Sequence, residues 1–173
     1  MHFELLLIAA VYGAAMKAAD LFDEHKKHWF KGDALLFGLI YGIAGALLVV
    51  SGNSLANVVL AMVLACFVRM RIDYRNHTIA ATMIILAFCY TSQFNAALFS
   101  TFFIIFTTFG GLRDYLGDVR KKKDWLYKIN EPMLYYIIPT AIYGVITGNW
   151  IIFAVFTTYV IFYDGVKILS KGF

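Results

Sequence analysis

The chain has 173 residues, of which 61% are hydrophobic and only 15% are charged. A water-soluble domain carries about 25% charged residues, so this composition excludes an ordinary soluble domain and leaves room for one membrane bundle without a separate soluble part. The formal charge of +4 does not point to nucleic acid, because basic residues in a membrane chain collect on the cytoplasmic side, where anionic lipid headgroups are their natural partners.

The fifteen Lys and Arg residues fall in a few short segments, and residues 34–68, 76–112 and 132–163 lack Asp, Glu, Lys and Arg altogether. Each run is too long for one bilayer crossing and suits two, since a spanning helix needs about 20 apolar residues. Span 1 is expected over residues 3–19. It reads as an uncleaved span because Met1-His2-Phe3-Glu4 offers no basic region of the kind a signal peptide carries. Its uncharged core, Leu5 to Met16, is short, so Lys17 is expected to snorkel to the interface. Residues 20–33 mix charges with Leu21, Phe22, Trp29 and Phe30, a pattern that suits an amphipathic interfacial helix.

Span 2 is expected over 34–50, and Ser51-Gly52-Asn53-Ser54 then turns the chain into span 3, over 55–70. A charged stretch around Arg69 to His77 leads into span 4, over 78–92, and Thr91 to Asn95 turn into span 5, over 96–112. The phenylalanines of span 5 (Phe99, Phe102, Phe103, Phe106, Phe109) are expected to face lipid. A polar segment, 113–131, contains Arg120 to Lys123. Pro132 is expected in the first turn of span 6, over 132–147, where its missing N–H is harmless, and Pro139 should kink that span. Span 7 covers 151–168.

The expected fold class is therefore an all-α polytopic transmembrane bundle of seven spans, a single integral membrane domain over residues 1–173. All Lys and Arg fall on one side of it, which places the N-terminus outside and the C-terminus in the cytoplasm, in the plasma membrane of a prokaryote. Gly38 and Gly42 form a GxxxG pair followed by Gly45, and span 1 carries Ala9, Ala10, Gly13 and Ala14. Small residues at this spacing let helices approach closely, so spans 1 and 2 are expected near the bundle centre.

The carboxylates carry the chemistry that can be read locally. Asp20, Asp23 and Glu24 share a helix face at i, i+3 and i+4, and Asp114 and Asp118 share another at i, i+4. Two such clusters on one side of a membrane can hold Mg²⁺, which prefers carboxylate oxygens and bridges to substrate phosphates. Arg69, Arg71 and Arg113 lie at the same interface and are candidates to grip phosphate oxygens. Asp73 and His77, four apart, can form a carboxylate–imidazole pair that orients a general base. His25 and His28 can share a face, though flanking lysines favour plain interfacial residues. Cys66 and Cys89 have no metal-ligand spacing. The bland alternative for every carboxylate is a solvated or paired acid at a helix end, as with Asp23 and Lys27.

Arg113-Asp114-Tyr115-Leu116-Gly117-Asp118-Val119-Arg120 resembles the second aspartate-rich motif of the UbiA-type membrane prenyltransferases. The resemblance covers a small part of the chain, and the number of spans and the spacing of the first cluster depart from that family's pattern. It implies facing aspartates that serve a lipid diphosphate. Three functions stay open: a Mg²⁺-dependent enzyme acting on a phosphorylated lipid or isoprenoid at the cytoplasmic leaflet, a small-solute transporter or channel, and a non-enzymatic membrane assembly or lipid-binding factor. No ionisable residue is expected mid-span, which weighs against proton-coupled transport. Asn57, Thr82 and Thr140 are the polar residues inside spans that favour a transport path.

Overall fold

A computed structural model describes residues 2–23, 26, 28–121 and 124–170. Glu24, His25, Lys27, Lys122 and Lys123 lie outside the described residues, and so do the expectations that rest on them. The described chain is all helical, without a strand. In chain order the elements are α1 (His2–Asp23), α2 (Asp33–Val50), α3 (Asn53–Val68), α4 (Arg75–Thr91), α5 (Ala96–Asp114), α6 (Trp125–Ile129), α7 (Ile138–Thr147) and α8 (Ile151–Leu169). A π-helical turn, Tyr115–Val119, extends α5, and a second π-helical stretch, Asn130–Ile137, joins α6 to α7 as one rod.

The rods follow the uncharged runs of the sequence, and turn residues separate them. Four stretches, Phe3–Asp23, Asp33–Val50, Ala96–Val119 and Ile151–Leu169, are long and apolar enough to cross a membrane. Side chains cap the starts of α5 and α6. Asn95 accepts a bond from Leu98 N at 3.1 Å, and Asp124 accepts one from Tyr127 N at 3.2 Å. Gly148 closes α7 in the left-handed conformation that glycine tolerates.

Several sequence expectations change here. Helix α1 runs on to Asp23, so Asp20 belongs to the bundle and not to an interfacial helix. Lys17 does not snorkel; it is 7% exposed and turned inward onto Asp20 at 3.4 Å. An internal counter-ion outcompetes the interface. The helix containing Pro132 starts earlier, at Trp125, and the proline lies within the π-helical stretch, where the bonding register is already shifted. The aromatic face of α5 turns inward: Phe102 and Phe106 are fully buried, and Phe106 meets Tyr135 and Phe156.

The most enclosed element is α3, which is buried without a break from Leu55 to Val63. Around it α1 packs on α2 and α8, α2 on α4, and α3 on α5. The glycine pair expected to let helices approach does so between α2 and α4. A Cβ on Gly38 would sit 2.8 Å from Asn76 Cα, and one on Gly42 would sit 2.9 Å from Ala80 Cα. The fully buried amide of Asn57 is spent on the uncharged end of the bundle. It donates to the carbonyls of Asn53 and Gln93 and accepts from Asn95 N, all within 2.9 Å. Thr82 and Thr140 donate to carbonyls of their own helices.

Packing of this kind predicts a sharp positional contrast. Gly42→Leu should destabilise the folded protein by about 1–3 kcal/mol through overpacking. Gly52→Ala, whose Cβ would meet nothing within 4 Å, should stay within about 0.5 kcal/mol of wild type. Thermal unfolding in one detergent checks both, and equal effects would contradict the α2–α4 contact.

Candidate functional site

The charged ends of the rods converge. One cavity of about 350 Å³ is lined by residues of α1, α2, α3, α4, α5, α8 and both π-helical segments. That volume is at the small end of the range for small-molecule sites, about 300–1,000 Å³. The mouth carries Arg71, Asp73, Asp118 and Tyr127, while Tyr12, Tyr41, Met62, Ile84 and Tyr159 line it further in. One turn beyond these, Ala9, Val58, Phe88 and Val155 are buried in the apolar core and do not line the cavity. The cavity is therefore blind, running from the charged end to the middle of the bundle.

Inside the mouth it holds a buried carboxylate, Asp20, 6% exposed. Asp20 Oδ1 lies 3.2 Å from His77 Nε2, and Oδ2 accepts from Tyr163 OH at 2.8 Å and from Lys17 Nζ at 3.4 Å. His77 Nδ1 in turn lies 2.7 Å from Tyr41 OH. These five side chains come from four helices. The carboxylate that meets His77 is thus Asp20, across the bundle. The i, i+4 argument for Asp73 does not apply, because residues 71–74 precede α4 and are not helical. Asp73 is exposed at the cavity mouth. With an ammonium and an imidazole on its two oxygens, Asp20 is held by bases. Asp23, one turn further on, is half-buried and does not line the cavity.

Arg69, Arg71 and Arg113 all reach the cavity, each already bonded to an acid. Arg69 donates to Asp114 Oδ2 at 2.8 Å, to Tyr135 OH at 2.9 Å and to Ala65 O at 3.3 Å. Its guanidinium lies so close over Gly110 that a Cβ there would stand 2.4 Å from Arg69 Cζ. Arg69 therefore clamps α3 to α5 and to the segment carrying Tyr135. Arg71, more exposed, bonds to Asp118 and pairs with Asp114. Asp114 Oδ1 lies 2.8 Å from Arg71 Nη2 in an orientation that gives an ion pair but no hydrogen bond. Arg113 Nη1 lies 3.8 Å from the same oxygen.

Arg113 donates from Nε and Nη2 to Glu131 Oε1 at 3.2 and 3.0 Å, and Lys167 donates to Glu131 Oε2 at 2.6 Å. Burial alone would raise the Glu131 pKa, but the Arg113 and Lys167 charges outweigh it and hold the carboxyl below its ordinary value. Glu131, Lys17 and the tyrosines of the wall, Tyr41 and Tyr163 above all, were not legible as site residues. Tyr159 and Tyr163 are spaced i, i+4 at the end of the uncharged run 132–163, a signal that two phenols share a face but not that an acid faces them.

His28 Nδ1 lies 2.9 Å from Asp33 Oδ1, a local bond at the start of α2. Among the described residues no three His, Cys, Asp or Glu side chains are grouped as a metal would require. No family model, curated protein or solved structure matches the chain.

The Glu131 pairing sets an acid limit on stability. Its folded pKa is depressed, so its contribution is complete above the unfolded value, near pH 4.3, and fades as pH falls through the lower folded value. Glu131→Gln should cost about 1–3 kcal/mol at pH 7 and flatten the loss of stability below about pH 4. Unfolding followed from pH 3 to pH 7 checks this, and parallel curves for the two proteins would contradict it.

Proposed function

We infer that the chain is a seven-span membrane protein, oriented with its N-terminus outside and its charged end in the cytoplasm of a prokaryote. Its cavity takes the headgroup of a phosphorylated lipid or isoprenoid from the cytoplasmic leaflet of the plasma membrane. The observation that carries this reading is the graded wall of the blind cavity. Cations and carboxylates ring the mouth, where a phosphate belongs, and aromatic and apolar side chains line the interior, where a chain belongs. A channel is the weaker reading, because the cavity stops mid-bundle and Asn57, Thr82 and Thr140 are spent on backbone carbonyls.

Mg²⁺ fits the second carboxylate pair better than the first. Asp114 has a buried oxygen without a hydrogen bond, and Asp118 is exposed at the mouth. Hard carboxylate oxygens beside a phosphate are the donors Mg²⁺ prefers. When bound, the ion would offset phosphate charge. Asp114 and Asp118 would hold it, and Arg71, then less committed to its acids, would contact phosphate oxygens. The basic residues between the helices at the charged end, with Lys26, Lys31, Arg75 and Lys121 exposed, suit anionic headgroups.

Farnesyl diphosphate tests the reading with the full chain in zwitterionic nanodiscs. Saturable binding should tighten about tenfold or more with Mg²⁺, and Arg71→Ala and Asp118→Asn should each weaken it about 10- to 100-fold, or about 1.4–2.8 kcal/mol. Inorganic diphosphate, lacking the chain, should bind less well. Release of diphosphate would mark an enzyme, and binding without release a lipid-binding factor. No saturable binding, or binding indifferent to Arg71 and Asp118, would contradict the reading.

A further inference from the structure

The buried group inside the cavity is built differently from the charged mouth. A carboxylate only accepts hydrogen bonds, so the contact of Asp20 Oδ1 with His77 Nε2 at 3.2 Å places the imidazole proton on Nε2. Nδ1 is then the accepting nitrogen, and the Tyr41 hydroxyl 2.7 Å away donates to it. Asp20 is itself fixed by Tyr163 at 2.8 Å and Lys17 at 3.4 Å. Tyr41, His77 and Asp20 all line the cavity, and each comes from a different helix. A chain of phenol, imidazole and carboxylate, oriented in one sense and ending in a cavity, is the arrangement that accepts a proton from a bound hydroxyl.

We propose that Tyr41, His77 and Asp20 form a general acid–base centre for a hydroxyl-bearing acceptor bound in the cavity. The centre rests on the phosphorylated-lipid reading for its co-substrate but not for its own chemistry. The acceptor O–H gives its proton to Tyr41 Oη as Tyr41 passes its own proton to His77 Nδ1. The O–H bond of the acceptor breaks as its oxygen bonds to the allylic carbon of the prenyl diphosphate, whose C–O bond breaks with the electron pair leaving on diphosphate; an O–H bond on Tyr41 is renewed, and an N–H bond forms on His77. The imidazolium is stabilised by the Asp20 carboxylate, and the reverse transfer returns the proton to a leaving group or to water. Tyr163 and Lys17 are positioning residues, since they act through Asp20. Among the described residues, the charged and titratable groups facing His77 include Asp20 and, bonded to it, Lys17 on α1, Tyr41 on α2, Tyr163 on α8 by way of Asp20, and Tyr74, with Asp73 lining the same cavity. Asp20 favours the imidazolium and Lys17 opposes it, and the nearer group, Asp20, dominates.

The test uses the full chain in nanodiscs with ¹⁵N-labelled histidine, and His77→Gln to assign the His77 signals. His77 should be the Nε2-protonated tautomer at neutral pH and should titrate reversibly between about pH 5 and pH 9. Tyr41→Phe should shift the Nδ1 resonance, and Asp20→Asn should lower the midpoint by about one to three pH units. A His77 that keeps one protonation state across this range, or a midpoint and Nδ1 signal that both variants leave in place, overturns the proposal whether or not farnesyl diphosphate binds. If the wild type releases diphosphate from farnesyl diphosphate and Mg²⁺, Tyr41→Phe should lower kcat about 100-fold or more with KM within about threefold. The acid limb of the rate should follow the His77 midpoint. Turnover of both Tyr41→Phe and His77→Gln at the wild-type rate also overturns it. If farnesyl diphosphate neither binds nor reacts, the lipid reading fails, and the histidine titration alone decides the acid–base centre.

Discussion

A carboxylate removed from water costs several kcal/mol unless other groups replace its hydration. In this protein that constraint falls on Asp20, and the way it is met determines how the bundle closes. Asp20 stands on the first helix, His77 on the fourth and Tyr163 on the eighth. Satisfying one carboxylate therefore fixes three helices against each other at the charged end. Lys17, three residues before it, adds a second buried charge that has Asp20 as its counter-ion. Neither residue can be left alone in an apolar bundle.

The mouth obeys the same constraint with different pieces. Arg69 sits on Gly110 and joins α3 to Asp114 and Tyr135, and Glu131 joins Arg113 to Lys167. The two π-helical segments, Tyr115–Val119 and Asn130–Ile137, fall in this region, where a widened helix re-aims side chains. At the opposite end two neutral amides, Asn53 and Asn57, hold the turn at residues 93–95. The bundle is thus tied at both ends, and the cavity at the charged end is lined by ionisable groups, whereas the one at the opposite end, between Leu5, Leu6, Trp150, Ile151, Ala154 and Val155, is apolar. That asymmetry is the physical basis for reading the charged end as the working one.

Much of this was legible in the sequence, and the reasons for the rest are specific. Uncharged runs and turn residues located the helices, because membrane helices exclude charge over a length set by the bilayer. Arg69, Arg71, Arg113, Asp20, Asp114 and Asp118, singled out as separate clusters, all line one cavity. Their pairing was not legible. The i, i+4 rule joined Asp73 to His77 and gave no sign of Asp20, 57 positions earlier in the chain, which lies 3.2 Å from the imidazole. Local spacing carries no information about such partners. The phenylalanine face of α5 looked suited to lipid because lipid and protein interior are equally apolar. Only the packing of Phe106 against Tyr135 and Phe156 distinguishes them. The tyrosines of the wall were hidden for a related reason, since a phenol in an apolar helix reads as hydrophobic until a polar partner is seen.

The most direct measurement is a double-mutant cycle on Asp20→Asn and His77→Gln, read by unfolding at pH 7 in a single detergent. A carboxylate and an imidazole that meet inside the bundle should show a coupling of about 1–3 kcal/mol. Single effects that sum to the double within about 0.5 kcal/mol would mean the two side chains do not meet. The convergence of the charged helix ends on one cavity would then lose its anchor.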